Sequence, residues 1–359
     1  MFYHEFKSPA IIKTGDNILS SIDDLLHSAH LFFPKKILVT QEYLWDIYKE
    51  VLSSNEFSDV VFVKGGSIDE ADFLNGKIKN QDALVLAFGG GSVLDIVKYC
   101  ASKCDAPYIT VPSTLSNDAV YSCVSRLTTD GKKRSYGVQP PIGIIVDLGV
   151  ISKSPRKLLL AGVADIVSNL SALEDWKLAH KNINEPINEL AYMLSKESVM
   201  PLLRYRGEDT VTNQEFLFDL TNAIVTSGLA MIIAGNTRVS SGAEHLISHA
   251  IDEFFPEKSS IHGLQVGWAH LIIEKNYRKN DSMYNELNEF YDSIGLNKVL
   301  EECIPWKIEE FENLIPYAKK IRNRYTVFNC IKYYEASARR KRKRNSRTIK
   351  IRKSNTTKE

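Results

Sequence analysis

The sequence predicts an α/β amino-terminal domain built on a mainly parallel sheet, followed by an all-α carboxy-terminal domain. Three observations carry that prediction. Over the first 150 residues, short apolar runs alternate with helix-like segments, the pattern of strands joined by crossover helices. The alternation stops near Ser154-Pro155-Arg156, where Ser154 can cap a helix and Pro155 suits its first turn, and helical periodicities follow to about residue 328. The length of 359 residues, with 44% apolar and 25% charged content, suits a globular chain of about two domains. The expected division is 1–152 and 153–330, with a basic tail at 331–359. No low-complexity linker separates the halves, so a cleft between them is the place to seek a small ligand.

Taken in order, strands are expected at 36–40, 60–63, 83–88, 108–111 and 143–147. The basic stretch around 126–134 reads as a hairpin. In the second half, 216–233, 244–254 and 263–275 read as helices. The most apolar stretch, 220–235, is short for a membrane span and carries Thr221, Asn222, Thr226 and Ser227, so it reads as a buried core helix. The start of the chain, MFYHEFKSPA, has no basic segment followed by an apolar block and a small-residue cleavage site, which points to the cytoplasm. Cys100, Cys104, Cys123, Cys303 and Cys330 form no C-x-x-C pair and read as reduced thiols.

The net charge of +1 averages two unlike regions. Residues 331–359 hold twelve Lys or Arg against Glu335 and Glu359, which leaves 33 basic and 42 acidic residues in 1–330. A body near −9 does not suit a nucleic-acid-binding surface. Only the tail is cationic, and blocks of like charge are commonly solvated ends.

The run 83–88 is an apolar strand followed by Gly89-Gly90-Gly91-Ser92 and a helical pattern beginning at Val93. Without Cβ atoms this turn lets backbone approach a pyrophosphate, and the free N–H groups and dipole of the helix start favour its charge. A dinucleotide is the natural occupant, although the spacing is not G-x-G-x-x-G. The next strand ends in Thr110-Val111-Pro112-Ser113-Thr114-Leu115-Ser116-Asn117-Asp118, which puts hydroxyls and a carboxylate at the edge where open sheets bind ligands.

His245 and His249 lie four apart on one face of a predicted helix, and His262 begins another helix-like stretch. Neutral imidazoles with a carboxylate make an open site for zinc or a similar cation. Asp165, in an otherwise apolar helix, is a carboxylate that would need a cationic partner if buried. Spacing does not choose between His245 and His249 as the ligand.

Gly89-Gly90-Gly91-x-x-x-Asp95-x-x-Lys98, Pro112-Ser113-Thr114, Asn117-Asp118-Ala119, Asp165, Ser241-Gly242-Ala243-Glu244-His245 and His262-Gly263 together resemble the iron-containing alcohol dehydrogenase and dehydroquinate synthase-like superfamily. Within it, Pro140-Pro141-Ile142, Asp175-Trp176-Lys177-Leu178-Ala179-His180, Asn236-Thr237-Arg238, Glu244-His245-Leu246-Ile247-Ser248-His249 and Arg324-Tyr325-Thr326 look most like the glycerol-1-phosphate dehydrogenase branch. The match runs from about residue 5 to 329. It departs from the family pattern at Ser92, where many members carry Lys, and at Val239-Ser240, where Pro-Ala is common.

The resemblance implies a Rossmann-like domain followed by an all-α one, and a homo-oligomer. It implies that Gly89, Gly90, Gly91, Ser92 and Asp95 form the pyrophosphate site, with Thr110, Ser113, Thr114 and Ser122 holding the rest of the nucleotide. Asp165, His245 and His262 would bind one divalent metal, zinc first, with nickel or iron as alternatives in the family. Asp118 would contact substrate hydroxyls and His249 would hydrogen-bond the substrate. Val39-Thr40-Gln41 offers no carboxylate for a ribose 2′-hydroxyl, so either NAD or NADP is expected. Arg126, Lys132, Lys133 and Arg134 are the basic candidates for a substrate phosphate. The implied reaction interconverts dihydroxyacetone phosphate and sn-glycerol 1-phosphate. The alternatives are a glycerol or other small-polyol dehydrogenase with the same ligands, and a nucleic-acid-binding protein acting through the tail.

Overall fold

The computed structural model describes residues 8–331; most of the basic tail and its nucleic-acid reading therefore lie outside the described residues. Eight strands form in chain order: β1 (Ile11–Gly15), β2 (Lys35–Thr40), β3 (Asp59–Phe62), β4 (Ala83–Gly89), β5 (Tyr108–Pro112), β6 (Val124–Thr129), β7 (Lys132–Gly137) and β8 (Gly143–Asp147). Six of them make one parallel sheet in the order β1-β8-β5-β4-β2-β3. The sheet has one strand more than the five expected. β1 is an edge strand of sequence IIKTG whose residues are all partly or largely exposed, so it lacks the apolar run that marks a central strand. β6 and β7 pair separately as an antiparallel hairpin, turned by Asp130 and Gly131 at positive φ.

The central strands are apolar throughout because both faces of the sheet are covered. Leu84, Leu86 and Phe88 of β4 point to a core shared with Leu38, Ile109 and Ile145. Their neighbours Val85 and Ala87 point to the opposite core with Val39, Ile144 and Val146. Helices α1 (Ile22–Ser28) and α2 (Glu42–Leu52) cover the first face. Helices α3 (Ile68–Ile78) and α4 (Gly91–Cys104) cover the second. The chain leaves β2 toward β3 and returns to β4 on β2's other side, so the order reverses between β2 and β4. The crevice beyond the carboxyl ends at such a reversal is where open α/β sheets bind ligands.

From α5 (Leu148–Ile151) onward every regular element among the described residues is helical. The helices are α6 (Arg156–Val167), α7 (Asn169–Ile183), α8 (Glu189–Val199), α9 (Gln214–Ala234), α10 (Ala243–Phe254), α11 (His262–Ile272), α12 (Asp281–Ser293), α13 (Leu296–Cys303) and α14 (Phe311–Ile321). α9 is, among the described residues, the one helix long and apolar enough to cross a membrane, and Phe216, Leu217, Leu220 and Ile224 are buried in the core against α6 and α8. The larger core runs continuously from the second sheet face into these helices, so the two halves share one apolar interior.

Candidate active site

Two cavities open at the carboxyl ends of the strands and share the turn that begins α4. One, of about 540 Å³, is lined by Gln41, Tyr48, Gly90, Ser113, Thr114 and Lys153 among others. The second, of about 260 Å³, is lined by Asp118, Ser122, Arg126, His245, His249 and His262 among others. Gly91 and Ser92 line both. Gly90 is the residue before α4 and carries no capping side chain, so the first N–H groups of a 14-residue helix are left for a ligand. Gly89 is needed for closeness, since a Cβ there would lie 2.6 Å from Val93 Cγ2.

The nominated cofactor residues divide between cavity walls and supporting positions. Gly90, Gly91, Ser92, Ser113 and Thr114 line the larger cavity, while Asp95 and Ser122 line the smaller. Gly89 lies beneath the turn. Thr110 is fully buried and donates to Val120 O at 2.8 Å, so it braces the turn that carries Asp118 and lines neither cavity. Lys98, fully buried, ties these parts together: its Nζ lies 3.0 Å from Asp95 Oδ1 and donates to Ala119 O and Ser122 Oγ. Sequence reasoning quoted Lys98 as part of a motif and gave it no role. A lysine inside the apolar pattern of 93–101 was the available signal.

Three helices bring the metal-type ligands together. Asp165 comes from α6, His245 from α10 and His262 from the first position of α11, and one donor atom of each lies within 4.8 Å of the others. The convergence depends on glycine. A Cβ on Gly162 would lie 1.7 Å from Leu115 O, and one on Gly263 would lie 2.0 Å from Ala161 O, so only glycine lets α6 pack this closely on the Leu115 segment and α11 on α6. Asp165 Oδ2 accepts from the Asp118 N–H at 3.1 Å, whereas the buried Oδ1 has no hydrogen-bond partner. It faces His245 Nε2 at 3.4 Å and His262 Nε2 at 3.8 Å.

The opposite ring nitrogens are taken. His245 Nδ1 lies 3.1 Å from Glu244 Oε1, and His262 Nδ1 lies 2.9 Å from Ser248 Oγ. Partners on Nδ1 orient both rings with Nε2 toward Asp165, the second-layer arrangement that suits metal-binding histidines. An unpartnered buried carboxylate oxygen with two converging imidazoles fits a divalent cation.

The electrostatics agree. Burial works against a charged His245, yet the neighbouring carboxylates of Asp165 and Glu244 outweigh it and carry its pKa up to about 9. Burial pushes His262 down to about 4 despite the Asp165 charge, so its ring is a neutral donor. Burial, then the neighbouring Asp165 charge, raises the Asp118 carboxyl to about 6. His249 is held well below the usual histidine range, chiefly by burial and then by Arg126. It lines the cavity with its ring 5.6 Å from that of His262, outside the three-ligand cluster.

Of the four basic hairpin candidates, Arg126 and Lys133 reach the smaller cavity, and Lys132 and Arg134 do not. Arg126 pairs with buried Asp252 at 2.9 Å, and Lys133 lies 3.8 Å from the same carboxylate. Arg322, which the sequence reading did not single out, also lines this cavity and has no ion-pair partner among the described residues. Its signal was slight, because Lys319-Lys320-Ile321-Arg322 reads as the exposed end of an amphipathic helix.

The sequence profile of the iron-containing alcohol dehydrogenase family matches residues 13–155. A protein from Pyrococcus furiosus named glycerol-1-phosphate dehydrogenase [NAD(P)+] is 33% identical over 298 residues, 81% of this chain and 84% of that protein. One of the same name from Archaeoglobus fulgidus is 30% identical over 336 residues, 90% of this chain and 93% of that protein. Among solved structures, glycerol dehydrogenase from Schizosaccharomyces pombe superposes with a TM-score of 0.72 at 19% identity, covering 91% of this chain and 86% of that one. Sulfoacetaldehyde reductase from Bifidobacterium kashiwanohense, solved with NAD+, gives 0.67 at 20% identity over 89% and 93%. At such identities these two structures speak for the fold.

Proposed function

The chain belongs to the glycerol-1-phosphate dehydrogenase family, and from that premise we propose that it reduces dihydroxyacetone phosphate reversibly to sn-glycerol 1-phosphate with NAD(P)H and one divalent metal. Asp165, His245 and His262 would hold the metal, and their mixed nitrogen and oxygen donors favour zinc. Bound there, such a cation supplies Lewis-acid polarisation of a carbonyl oxygen and stabilises the charge that develops on it as hydride arrives.

The chain's own residues do the positioning. Glu244 and Ser248 fix the two rings, and the Asp118 N–H fixes the carboxylate. Through its side chain, Asp118 is available to a substrate hydroxyl. His249, neutral in its buried position, can exchange a proton with the substrate oxygen at its ring nitrogen. The Gly90–Ser92 turn takes the pyrophosphate, leaving the larger cavity for the rest of the nucleotide and the smaller one for the nicotinamide and substrate. Gln41, just after β2, has an amide that donates to Lys64 O, and no carboxylate lining that cavity repels a 2′-phosphate, so both cofactors are accepted. Residues 1–152 thus supply most of the nucleotide site, and 153–330 the metal ligands and, with Asp118, Arg126 and Lys133 of the first unit, the substrate site.

One observation carries the phosphorylated substrate over the free polyol. On one wall of the smaller cavity, Arg126, Lys133 and Arg322 are answered, among the described residues, by Asp252 alone, a cationic surplus suited to a dianionic phosphate. NAD(P)H consumption by purified protein should therefore need dihydroxyacetone phosphate together with zinc or nickel, and should stop after chelation. Preference for unphosphorylated dihydroxyacetone would transfer the assignment to a polyol dehydrogenase.

A further inference from the structure

Behind the substrate cavity lies a separate cavity of about 590 Å³, walled by Arg238, Arg322, Arg324, Asn236, Asn323 and Asn329 among others. Its charges do not balance. Arg238 is answered by Glu185, with Nε donating to Oε1 at 2.6 Å and Nη2 to Oε2. Arg322 and Arg324 have no carboxylate ion-pair partner among the described residues. Both donate only to neutral oxygens: Arg322 Nη1 to Thr237 Oγ1 at 3.3 Å, and Arg324 to Thr237 Oγ1 at 2.8 Å and to Ser241 O. Burial, and then the charges of Arg322 and Arg238, pull Arg324 down to about 9.

We propose that this cavity is a second anion site, distinct from the substrate cavity, that takes a phosphate-class dianion between Arg322 and Arg324. Two unpaired guanidiniums present several N–H donors in the planar geometry that suits phosphate oxygens. Asn329 uses Oδ1 to accept from the Thr326 N–H and keeps its NH2 group for the cavity. Arg322 walls both cavities, and Thr237 and Ser241, which hold Arg324, have their own place on the substrate cavity. An anion seated behind Arg322 therefore competes for the guanidinium that serves the substrate's phosphate. It raises KM for the phosphorylated substrate and leaves kcat unchanged. That consequence rests on the preceding functional reading; the site itself does not.

The test is calorimetric titration of the metal- and NAD-loaded protein with inorganic phosphate, with and without dihydroxyacetone phosphate. The expectation is about two phosphates per chain, of which the substrate displaces one. Arg324→Gln and Asn329→Asp should each reduce the count to about one by removing the charge or by answering it in place. Asn329→Asp keeps the Thr326 cap acceptor, so a folding defect in the arginine variant leaves the test intact. Phosphate should also raise the Tm of the parent protein more than that of Asn329→Asp. A phosphate count unchanged by both variants overturns the proposal. A count lowered in both variants with no phosphate displaced by the substrate would keep it and would contradict the functional reading instead.

Discussion

The metal-facing and arginine-lined sides of the substrate cavity present opposite electrostatic problems. On the first, Asp165 keeps a buried carboxylate oxygen without a partner, and His245 is drawn toward its protonated form by the surrounding acids. On the second, Arg322, and Arg324 in the adjoining cavity, are cations without acidic partners among the described residues; burial pulls both pKa values down, helped by Arg126 at Arg322 and by Arg322 and Arg238 at Arg324. A folded chain pairs its buried charges internally, because an unpaired one is costly. Where pairing is withheld, the missing partner is a ligand of the opposite sign. The two sides thus indicate a divalent cation and an anionic phosphate within reach of one substrate.

The strongest break in this comparison is to remove a ligand from the acidic side. His262→Ala should lower kcat by roughly a thousandfold or more, the several kcal/mol expected of metal polarisation, while NAD(H) binding measured by fluorescence stays within about twofold. Retained turnover would remove His262 from the ligand set. Next in size is the layer behind the metal. Glu244→Gln leaves the His245 Nδ1 contact without its charge and should weaken metal affinity by about ten- to a hundredfold in a chelator competition. Unchanged affinity would make Glu244 a structural residue only. The smallest effect concerns packing. Gly162→Ala forces a methyl against Leu115 O and should cost about 1–3 kcal/mol, read as a lowered denaturation midpoint. Full stability would mean that α6 and the Leu115 segment can separate without penalty.

These same elements show what was legible beforehand. Parallel strands buried on both faces leave continuous apolar runs, so β2, β4, β5 and β8 stood out, whereas exposed, edge-lying β1 left none. The glycine turn and the hydroxyls of Ser113 and Thr114 could be read because strand, turn and helix are local in sequence. The choice of His245 over His249 could not, since both lie on one face of α10 and the selection is made by α11 arriving with His262 and by α6 arriving with Asp165. It required the resemblance. The arginine side was the least readable, because Arg322 and Arg324 acquire meaning only when they meet Thr237 and Ser241 across more than eighty residues of chain.

The central claim is that the cationic surplus around Arg322 selects a phosphorylated substrate for the metal centre. The direct measurement is the ratio of kcat/KM for dihydroxyacetone phosphate to that for dihydroxyacetone, in the parent protein and in Arg322→Gln. A large ratio in the parent is predicted to fall by about ten- to a hundredfold in the variant, the loss expected of a charge-assisted contact, with turnover of the unphosphorylated ketone unaltered. An unchanged ratio, or an equal loss for both ketones, would contradict it.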